Sequence, residues 1–383
     1  MTKKYFIGYD LGSSSLKVAI VDSITGENIL SIHEPKGEMS IISQHADWAE
    51  QNPDDWWDFV CTATRRALNE SNIRSSDIKA IGISYQMHGL VVVDKNKKSL
   101  RNSIIWCDSR AVNIGEKAFQ DLTPKTCINK LLNSPANFTA SKLKWIKDNE
   151  PEVFEKIYKF MLPGDYIALK LSDKISTTSN GLSEGIFWDY ESDTVASWLL
   201  DYFEFNTGLV PEIVENFTAQ CYVSKKASDE TGLPEGIPIT YRAGDQPNNA
   251  LSLNIFNKGE VAATGGTSGV IYAITDNKKS NEASRINHFA HVNYSQNNPS
   301  IGKLLCINGA GIMYRWLRNQ SSAISYEAMN KEASKIPIGS EGLIILPFGN
   351  GAERMLGNLN IGTQFCNINL NQHSKSHLYR AAL

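Results

Sequence analysis

The chain has 383 residues and a formal net charge of −3, from 38 Lys and Arg residues against 41 Asp and Glu residues. Its hydrophobic content of 42% and charged content of 21% are ordinary for a globular protein, which excludes a disordered, collagen-like or coiled-coil chain. The near-neutral charge gives no support for nucleic acid as a partner. The length predicts two domains, with three small ones as the alternative.

Cysteine spacing and hydropathy restrict the class of protein further. The six cysteines are scattered without a Cys-x-x-Cys pair, so neither a disulfide framework nor a zinc ribbon is indicated. The first apolar segment breaks at Asp10, which is too early for a secretory signal, and no apolar run of about 18 residues occurs. We therefore expect a cytoplasmic protein with no membrane partner.

The N-terminal segment predicts a β-hairpin. Tyr5–Asp10 and Leu16–Asp22 are apolar strands, and Leu11-Gly-Ser-Ser-Ser between them is a tight turn. A third strand is predicted at Asn28–His33, after a turn at Gly26.

The hairpin turn has the composition of an anion-binding nest. Gly12 permits a positive φ, which would let successive N–H groups point into one concavity. Asp10, at the strand end, suits Mg²⁺, which takes one or two carboxylates together with phosphate oxygens. The alternative is a polar hairpin tip with a surface lysine. The hydroxyl donors and the positive charge come from Ser13, Ser14, Ser15 and Lys17.

A helix and two strands follow. Asn52 is a good N-cap, Pro53 suits the first helical position, and apolar residues then recur at helical spacing. Trp56 and Trp57 in this helix are expected in the core. Strands predicted at Ile78–Ser84 and Leu90–Asp94 then alternate with helices, which favours an α/β class.

The turn between those strands, Gln86-Met-His-Gly, is a candidate ligand site. Met87 can pack on the apolar face of a sugar, and His88 can hydrogen-bond hydroxyl groups. The alternative is a structural histidine at a strand end.

The middle of the chain leads to a candidate catalytic acid. A helical pattern runs from Lys142 to Leu171, interrupted at Leu162-Pro-Gly-Asp, and a later strand ends in Ala243-Gly-Asp-Gln. Asp245 at that strand end can accept a proton from a substrate hydroxyl. Its alternative role is to cap the helix that follows.

A second β-hairpin is predicted at residues 260–274, where two apolar strands flank the glycine-rich turn Gly265-Gly-Thr-Ser-Gly269. This turn lacks the Gly-Lys-Ser/Thr ending of a P-loop, and its alternative is an ordinary hairpin loop. Because a phosphate-friendly hairpin opens each half, two related domains facing one cleft are predicted, 1–250 and 251–383.

The end of the chain predicts the start of an amphipathic helix at Ser374–Leu383, with no terminator after it. We therefore expect a fragment whose second domain is incomplete. His373 and His377 are spaced to share a helix face. A zinc-protease motif would need a Glu directly after His373, and none is present, so a solvated helix face is favoured over a zinc site.

These segments together resemble the FGGY family of carbohydrate kinases. The matching stretches follow the family's order along the whole chain, and Gln-Met-His-Gly is typical of members acting on five- and seven-carbon ketoses. They include Asp10-Leu-Gly-Ser-Ser-Ser-Leu-Lys, Trp48-Ala-Glu-Gln-Asn-Pro, Tyr85-Gln-Met-His-Gly-Leu, Ile105-Trp-Cys-Asp-Ser-Arg, Leu162-Pro-Gly-Asp-Tyr, Gly244-Asp-Gln, Gly266-Thr-Ser-Gly and Gly351-Ala-Glu-Arg.

The resemblance implies an actin-like, ribonuclease-H-like two-domain ATPase fold and assigns roles residue by residue. Asp245 is implied as the general base, Asp10 as the residue at the Mg²⁺–phosphate end, and Met87, His88 and Gln246 as sugar ligands. The residues implied near ATP are Gly12, Ser13, Ser14, Ser15, Lys17, Gly266, Thr267, Gly311 and Arg315.

The implied reaction is ATP-dependent phosphorylation of D-xylulose to its 5-phosphate, with ATP and Mg²⁺ required. The alternatives are a related ketose or polyol kinase acting on ribulose, sedoheptulose or glycerol, and a non-catalytic sugar or nucleotide binder of the same fold. The Gly351-Ala-Glu-Arg stretch carries an inserted alanine relative to the family pattern. The family also continues into a glycine-rich adenosine-binding segment, so poor turnover is expected of this chain. A homodimer is compatible with the sequence.

Overall fold

The computed structural model describes residues 4–45, 48–266, 268–280, 282, 285–350, 353–357, 359 and 361–383. The chain divides into two compact units. Unit 1 comprises Met1–Lys258, Thr275–Asn281 and Phe289–Gly302, and unit 2 comprises Gly259–Ile274, Glu282–His288 and Lys303–Leu383. The first passage between units follows Lys258 rather than residue 250, and the chain then returns twice to unit 1.

Unit 1 contains strands and helices in alternation, as the α/β prediction requires. Its strands are β1 (Tyr5–Leu11), β2 (Leu16–Asp22), β3 (Asn28–Glu34), β4 (Glu50–Gln51), β5 (Ile78–Tyr85), β6 (Val91–Val93), β7 (Ser103–Ile104), β8 (Lys159–Met161), β9 (Ser176–Thr177), β10 (Trp188–Asp189), β11 (Thr194–Val195), β12 (Glu212–Ile213), β13 (Cys221–Tyr222) and β14 (Pro238–Gly244). Its helices are α1 (Pro53–Ser71), α2 (Val112–Asp121), α3 (Pro124–Lys130), α4 (Thr139–Asn149), α5 (Pro151–Phe154), α6 (Pro163–Ser172), α7 (Ser179–Glu184), α8 (Ser197–Tyr202), α9 (Lys225–Thr231) and α10 (Asp245–Ser252).

A six-stranded sheet forms the centre of unit 1, in the order β13-β14-β5-β1-β2-β3. β1, β2 and β3 are antiparallel neighbours, whereas β5 runs parallel to β1 and β14 parallel to β5. β1 buries Ile7, Tyr9 and Leu11 on one face, because alternate residues of a strand point to the same side. That face packs in the core with helix α1.

Helix α1 begins as its sequence predicts. The Asn52 side chain caps the helix by accepting a hydrogen bond from the Asp54 N–H at 3.2 Å, and Pro53 follows as the first helical residue. Trp56 and Trp57 are 1% and 5% exposed, which confirms their expected place in the core. Burial of such large side chains stabilises the unit by about 1.5–3 kcal/mol each.

The opposite face of the sheet carries small residues. Gly8, Ala19, Ala80 and Gly82 line a groove of about 950 Å³ that extends along this face. A Cβ built on Gly8 meets no atom within 4 Å, so the space next to Gly8 is open.

From residue 259 onward the strands are β15 (Val261–Gly265), β16 (Gly269–Thr275), β17 (Asn287–Ala290), β18 (Ile301–Ile307), β19 (Ile344–Leu346) and β20 (Gln364–Cys366). The helices are α11 (Ala310–Gln320), α12 (Tyr326–Ala333) and α13 (Lys375–Ala382). β15 and β16 form the predicted second hairpin, in a four-stranded sheet of order β15-β16-β18-β17. The C-terminal helix packs against α11, α12 and β19.

Two local predictions are wrong. The helical pattern assigned from Lys142 to Leu171, with its interruption at Leu162-Pro-Gly-Asp, also contains the strand β8, which pairs with β6. His377 is 7% exposed rather than solvated, because its Nδ1 accepts from the Ser374 N–H and closes a capping box at the start of α13.

All six cysteines are free, as the scattered spacing predicts. None of the helices in the described part of the chain combines the length and the apolar character needed to cross a membrane.

Candidate active site

Strand register in unit 1 brings three distant segments of the sequence to one edge of the sheet. Asp10 of β1 lies opposite Ser84 of β5, and Ser84 lies opposite Ala243 of β14. Because these three strands are parallel, all of them end at the same edge. The residues that leave this edge are the turn after β1, the Gln86-Met-His-Gly turn after β5, and Asp245 after β14. In open α/β sheets, ligands bind at the carboxyl ends of the strands.

Asp245 is the first residue of α10, directly after Gly244. The N-cap position belongs to Gly244, and the Asp245 carboxylate accepts hydrogen bonds from main-chain N–H groups of the first turn, its own and that of Gln246. Burial first, and the negative charge of Asp10 second, raise the pKa of its carboxyl to about 6. Hydrogen bonds from Gln246, through both its main chain and its side chain, act against that shift. A carboxylate with a pKa near the working pH is suited to accept a proton.

Gln246 was expected to bind the sugar. The structure places it beside Asp245, where it hydrogen-bonds the carboxylate. It lies in the first turn of α10 and is half-buried.

The first hairpin turn closes through a hydrogen bond from the Gly12 N–H to the Ser15 carbonyl at 3.0 Å. Gly12 does not have the positive φ that the sequence predicts. A side chain is disfavoured there for another reason, since a Cβ would lie 3.2 Å from the Ser15 carbonyl oxygen. Gln51 holds the turn by donating to the Ser13 carbonyl at 2.7 Å, and Ser14 is exposed.

Lys17 lies directly opposite Asp10 across the hairpin, and its Nζ is 3.2 Å from Asp10 Oδ2. Both side chains are substantially exposed, at 65% for Lys17 and 38% for Asp10, so the pair adds little to stability. Both groups therefore remain accessible to a ligand.

Met87 and His88 occupy the turn after β5. The Met87 side chain is buried against Gly244, where a Cβ would lie 2.5 Å from Met87 Cγ. His88 is half-buried with φ of 61°, an uncommon conformation for a residue with a side chain. Its ring meets Phe138 edge to face at 4.7 Å between centroids.

In unit 2, the second hairpin lies at the start of α11. The Gly311 N–H donates to the Gly266 carbonyl at 3.1 Å. Gly266, Gly311 and Arg315 line one cavity of about 430 Å³, together with Tyr314 and Tyr326. The structure thus brings together three of the residues expected near the nucleotide. Thr267 lies outside the described residues.

Three residues of unit 1 were missed by the sequence interpretation, although each contacts a candidate residue. Gln51 holds the first hairpin turn, Lys142 donates to the His88 carbonyl, and Glu184 contacts the His88 main chain. Gln51 belongs to a motif noted in the sequence. Lys142 and Glu184 had no local signal, because their contacts form only when separate elements pack together.

Asp10 is the carboxylate that the sequence predicts for a Mg²⁺ ion. Within the described ranges, no group of three or more His, Cys, Asp or Glu side chains is arranged to hold a metal ion. Mg²⁺ needs no such cluster, because one or two carboxylates, phosphate oxygens and waters complete its shell. An exposed carboxylate beside the serine-rich turn fits that requirement.

This fold and edge-of-sheet site define a phosphotransferase of the actin-like ATPase class. Residues 5–252 match the family model described as the N-terminal domain of the FGGY family of carbohydrate kinases. The chain belongs to this family and is a carbohydrate kinase, which transfers phosphate to an alcohol group and uses ATP as its co-substrate.

Known proteins of similar sequence and structure agree with this assignment. Xylulose kinase of Bacillus subtilis (strain 168) is 27% identical over 385 residues, covering 99% of this chain and 74% of that relative. The crystal structure of xylulose kinase from Rhodospirillum rubrum matches with a TM-score of 0.87 at 24% identity, over 99% of this chain and 76% of that one. The crystal structure of Plasmodium falciparum glycerol kinase with ADP matches with a TM-score of 0.86 at 19% identity, over 99% of this chain and 76% of that one. These structures show the fold, and their different names leave the acceptor to be determined.

Proposed function

We propose that this carbohydrate kinase transfers the γ-phosphoryl group of ATP to the 5-hydroxyl of D-xylulose and forms D-xylulose 5-phosphate. The observation that carries the proposal is the placement of Asp245 at the same sheet edge as the Met87–His88 turn and the Asp10 hairpin. A similar protein bears the name xylulose kinase, and Gln-Met-His-Gly is the turn expected of ketose kinases.

Asp245 acts as the general base in this proposal. Its raised pKa, about 6, leaves it ionised at neutral pH while making it a stronger base than an ordinary aspartate. It accepts the proton of the acceptor hydroxyl as the new bond to phosphorus forms. Gln246 keeps the carboxylate oriented through its hydrogen bonds.

The serine-rich turn and Lys17 contribute donors and positive charge to the phosphate groups, since phosphoryl transfer depends mainly on positioning and charge neutralisation. Asp10 would hold Mg²⁺, which when bound neutralises negative charge on the phosphates. In unit 2, Gly266, Gly311 and Arg315 would contact the nucleotide. A cytoplasmic location and a homodimer remain predictions of the sequence.

The test is ADP release, measured by a coupled assay with D-xylulose, D-ribulose, sedoheptulose, glycerol and gluconate as acceptors. The highest kcat/KM with D-xylulose supports the proposal, and a higher value with another acceptor identifies a related kinase instead. Thermal stability is measured on the same samples. A chain that sugar stabilises but that releases no ADP is a non-catalytic sugar-binding protein.

The base is tested separately with Asp245→Asn. General-base catalysis contributes about 10²–10⁴-fold, so kcat should fall by at least about 10²-fold while sugar affinity is retained. Asp229→Asn is the control, because that exposed carboxylate pairs with Lys225 on the surface of α9. Wild-type turnover in Asp245→Asn would refute the assignment.

A further inference from the structure

His88 is held by buried polar groups from two directions. Its carbonyl oxygen accepts a hydrogen bond from Lys142 Nζ at 2.9 Å. Its main-chain N–H donates to the side-chain carboxyl of Glu184, and its ring Nδ1 lies 2.9 Å from the Glu184 carbonyl oxygen. Three polar groups of this one residue therefore contact Lys142 and Glu184, both of which are buried.

The contact at Nδ1 determines the state of the imidazole. A carbonyl oxygen can only accept, so Nδ1 must carry the proton of the hydrogen bond. In a neutral ring, Nε2 is then the acceptor. A ring in this tautomer is suited to receive a hydrogen bond from a hydroxyl group.

Lys142 links His88 to a second segment. Its Nζ also donates to the Ile105 carbonyl at 2.9 Å, and Ile105 precedes Trp106, which is 53% exposed. Full burial lowers the pKa of the Lys142 amine to about 7, with Asp108 and Cys107 acting in the opposite direction and Arg110 in the same one. A neutral amine has two N–H groups, and two carbonyl oxygens are present to accept them.

Glu184 is the last residue of α7 and is 2% exposed. Its Oε1 has no hydrogen-bond partner in the described part of the chain. Burial first, and the charge of Asp245 second, raise the pKa of this carboxyl well above its usual value. The group is therefore in contact with the His88 turn and under the electrostatic influence of Asp245.

We propose that Lys142 and Glu184 are positioning residues that fix the His88 turn and its tautomer, so that Nε2 is presented as an acceptor to a hydroxyl of the substrate. The inference rests on the proposed function, since it concerns the acceptor site of that reaction. The strained φ of 61° at His88 agrees with it, because such a conformation persists only where surrounding contacts hold it.

Alternatively, the two residues serve only the stability of the unit, and the control is chosen to separate these roles. Lys159 likewise donates to two main-chain carbonyls, those of Gly208 and Val210, both at 2.7 Å. Burial lowers the pKa of Lys159 as well. Its contacts do not include His88, so Lys159→Met removes comparable hydrogen bonds at another place.

The first measurement uses wild-type protein and needs no substitution. Nitrogen-15 NMR of the histidine rings, with His88 assigned by its loss in His88→Asn, reports which ring nitrogen carries the proton. The expected result is protonated Nδ1 and unprotonated Nε2. Protonation at Nε2 in the neutral ring overturns the proposal whatever the substrate is.

The second measurement compares Lys142→Met, Glu184→Leu, Glu184→Gln and Lys159→Met. Hydrogen exchange of the peptide containing residues 86–89 should quicken at least about tenfold in the first two variants only. The Kd for D-xylulose should rise at least about tenfold in the same two, with ATP affinity unchanged. Glu184→Gln should resemble wild type, because a neutral amide oxygen can still accept the His88 N–H.

Each outcome separates this inference from the proposed function. If Lys142→Met and Lys159→Met have the same exchange and affinity, the positioning role is refuted. If wild-type protein binds no D-xylulose but the tautomer and the exchange pattern are as expected, the positioning is supported and the proposed substrate is wrong.

Discussion

Gly244 gives the sharpest test of how the acceptor site is packed. A Cβ built on this residue would lie 2.4 Å from Glu184 Oε2 and 2.5 Å from Met87 Cγ. Ordinary contacts begin at 3.4 Å, so both side chains fall about 1 Å short of the room that an alanine needs. Gly244→Ala therefore forces Met87 and Glu184 to move.

The cost follows from the size of that overlap. Overpacking of a well-packed site typically destabilises a protein by about 1–3 kcal/mol. For a unit of this size, the melting temperature should fall by roughly 2–12 °C. Because Met87 is a proposed sugar ligand, the Kd for D-xylulose should also rise by at least about tenfold.

The assay pairs thermal unfolding, followed by circular dichroism, with calorimetric titration of D-xylulose. Gly8→Ala is the matched control, since it lies in β1 of the same sheet and its Cβ meets no atom within 4 Å. Alanine there should leave stability unchanged or raise it by about 0.4–1 kcal/mol. If Gly244→Ala is as stable as Gly8→Ala and binds sugar like wild type, the described packing at Gly244 is incorrect.

Three further substitutions probe the electrostatics and the packing. Burial first and the charge of Asp10 second raise the pKa of Asp245 to about 6, so kcat/KM should fall as the pH drops through 6. Asp10→Asn removes one of these causes and should move the acidic side of the pH–rate profile to lower pH. An unchanged profile would contradict the electrostatic effect of Asp10 on Asp245. Arg242 is 1% exposed and paired with a buried carboxylate, so Arg242→Met should cost about 3–5 kcal/mol in urea unfolding, whereas a loss below about 1 kcal/mol would contradict the pairing. A Cβ on Gly309 would lie 1.3 Å from the Pro347 carbonyl oxygen, so Gly309→Ala should sharply increase proteolysis of unit 2, and wild-type resistance would count against that contact.

Local sequence signals predicted the elements that depend on local physics. The Asn52-Pro53 start of α1 and both strands of the first hairpin follow from capping and alternation, which act within a few residues. The strand β8 was missed, because its three residues pair with β6, a strand far away in the sequence. A segment so short carries no periodicity of its own.

Local sequence signals also predicted part of the candidate site. Asp245 and His88 were found from strand ends and motif composition, and the structure places both at one sheet edge. Lys142 and Glu184 could not be found in that way. Their meeting with His88 requires α4 and α7 to pack against the turn after β5, and no pattern in the sequence encodes that contact.

The position of β14 in the sheet has a consequence for biosynthesis. β5 is complete at Tyr85, but its parallel neighbour β14 begins only at Pro238. At about 5–20 residues per second, a ribosome needs on the order of tens of seconds to supply the missing strand. During that interval the nascent chain exposes an unpaired apolar strand edge, which is an aggregation hazard. We therefore expect this polypeptide to depend on chaperones cotranslationally, and Asp245 to be the last part of the sheet edge to reach its place.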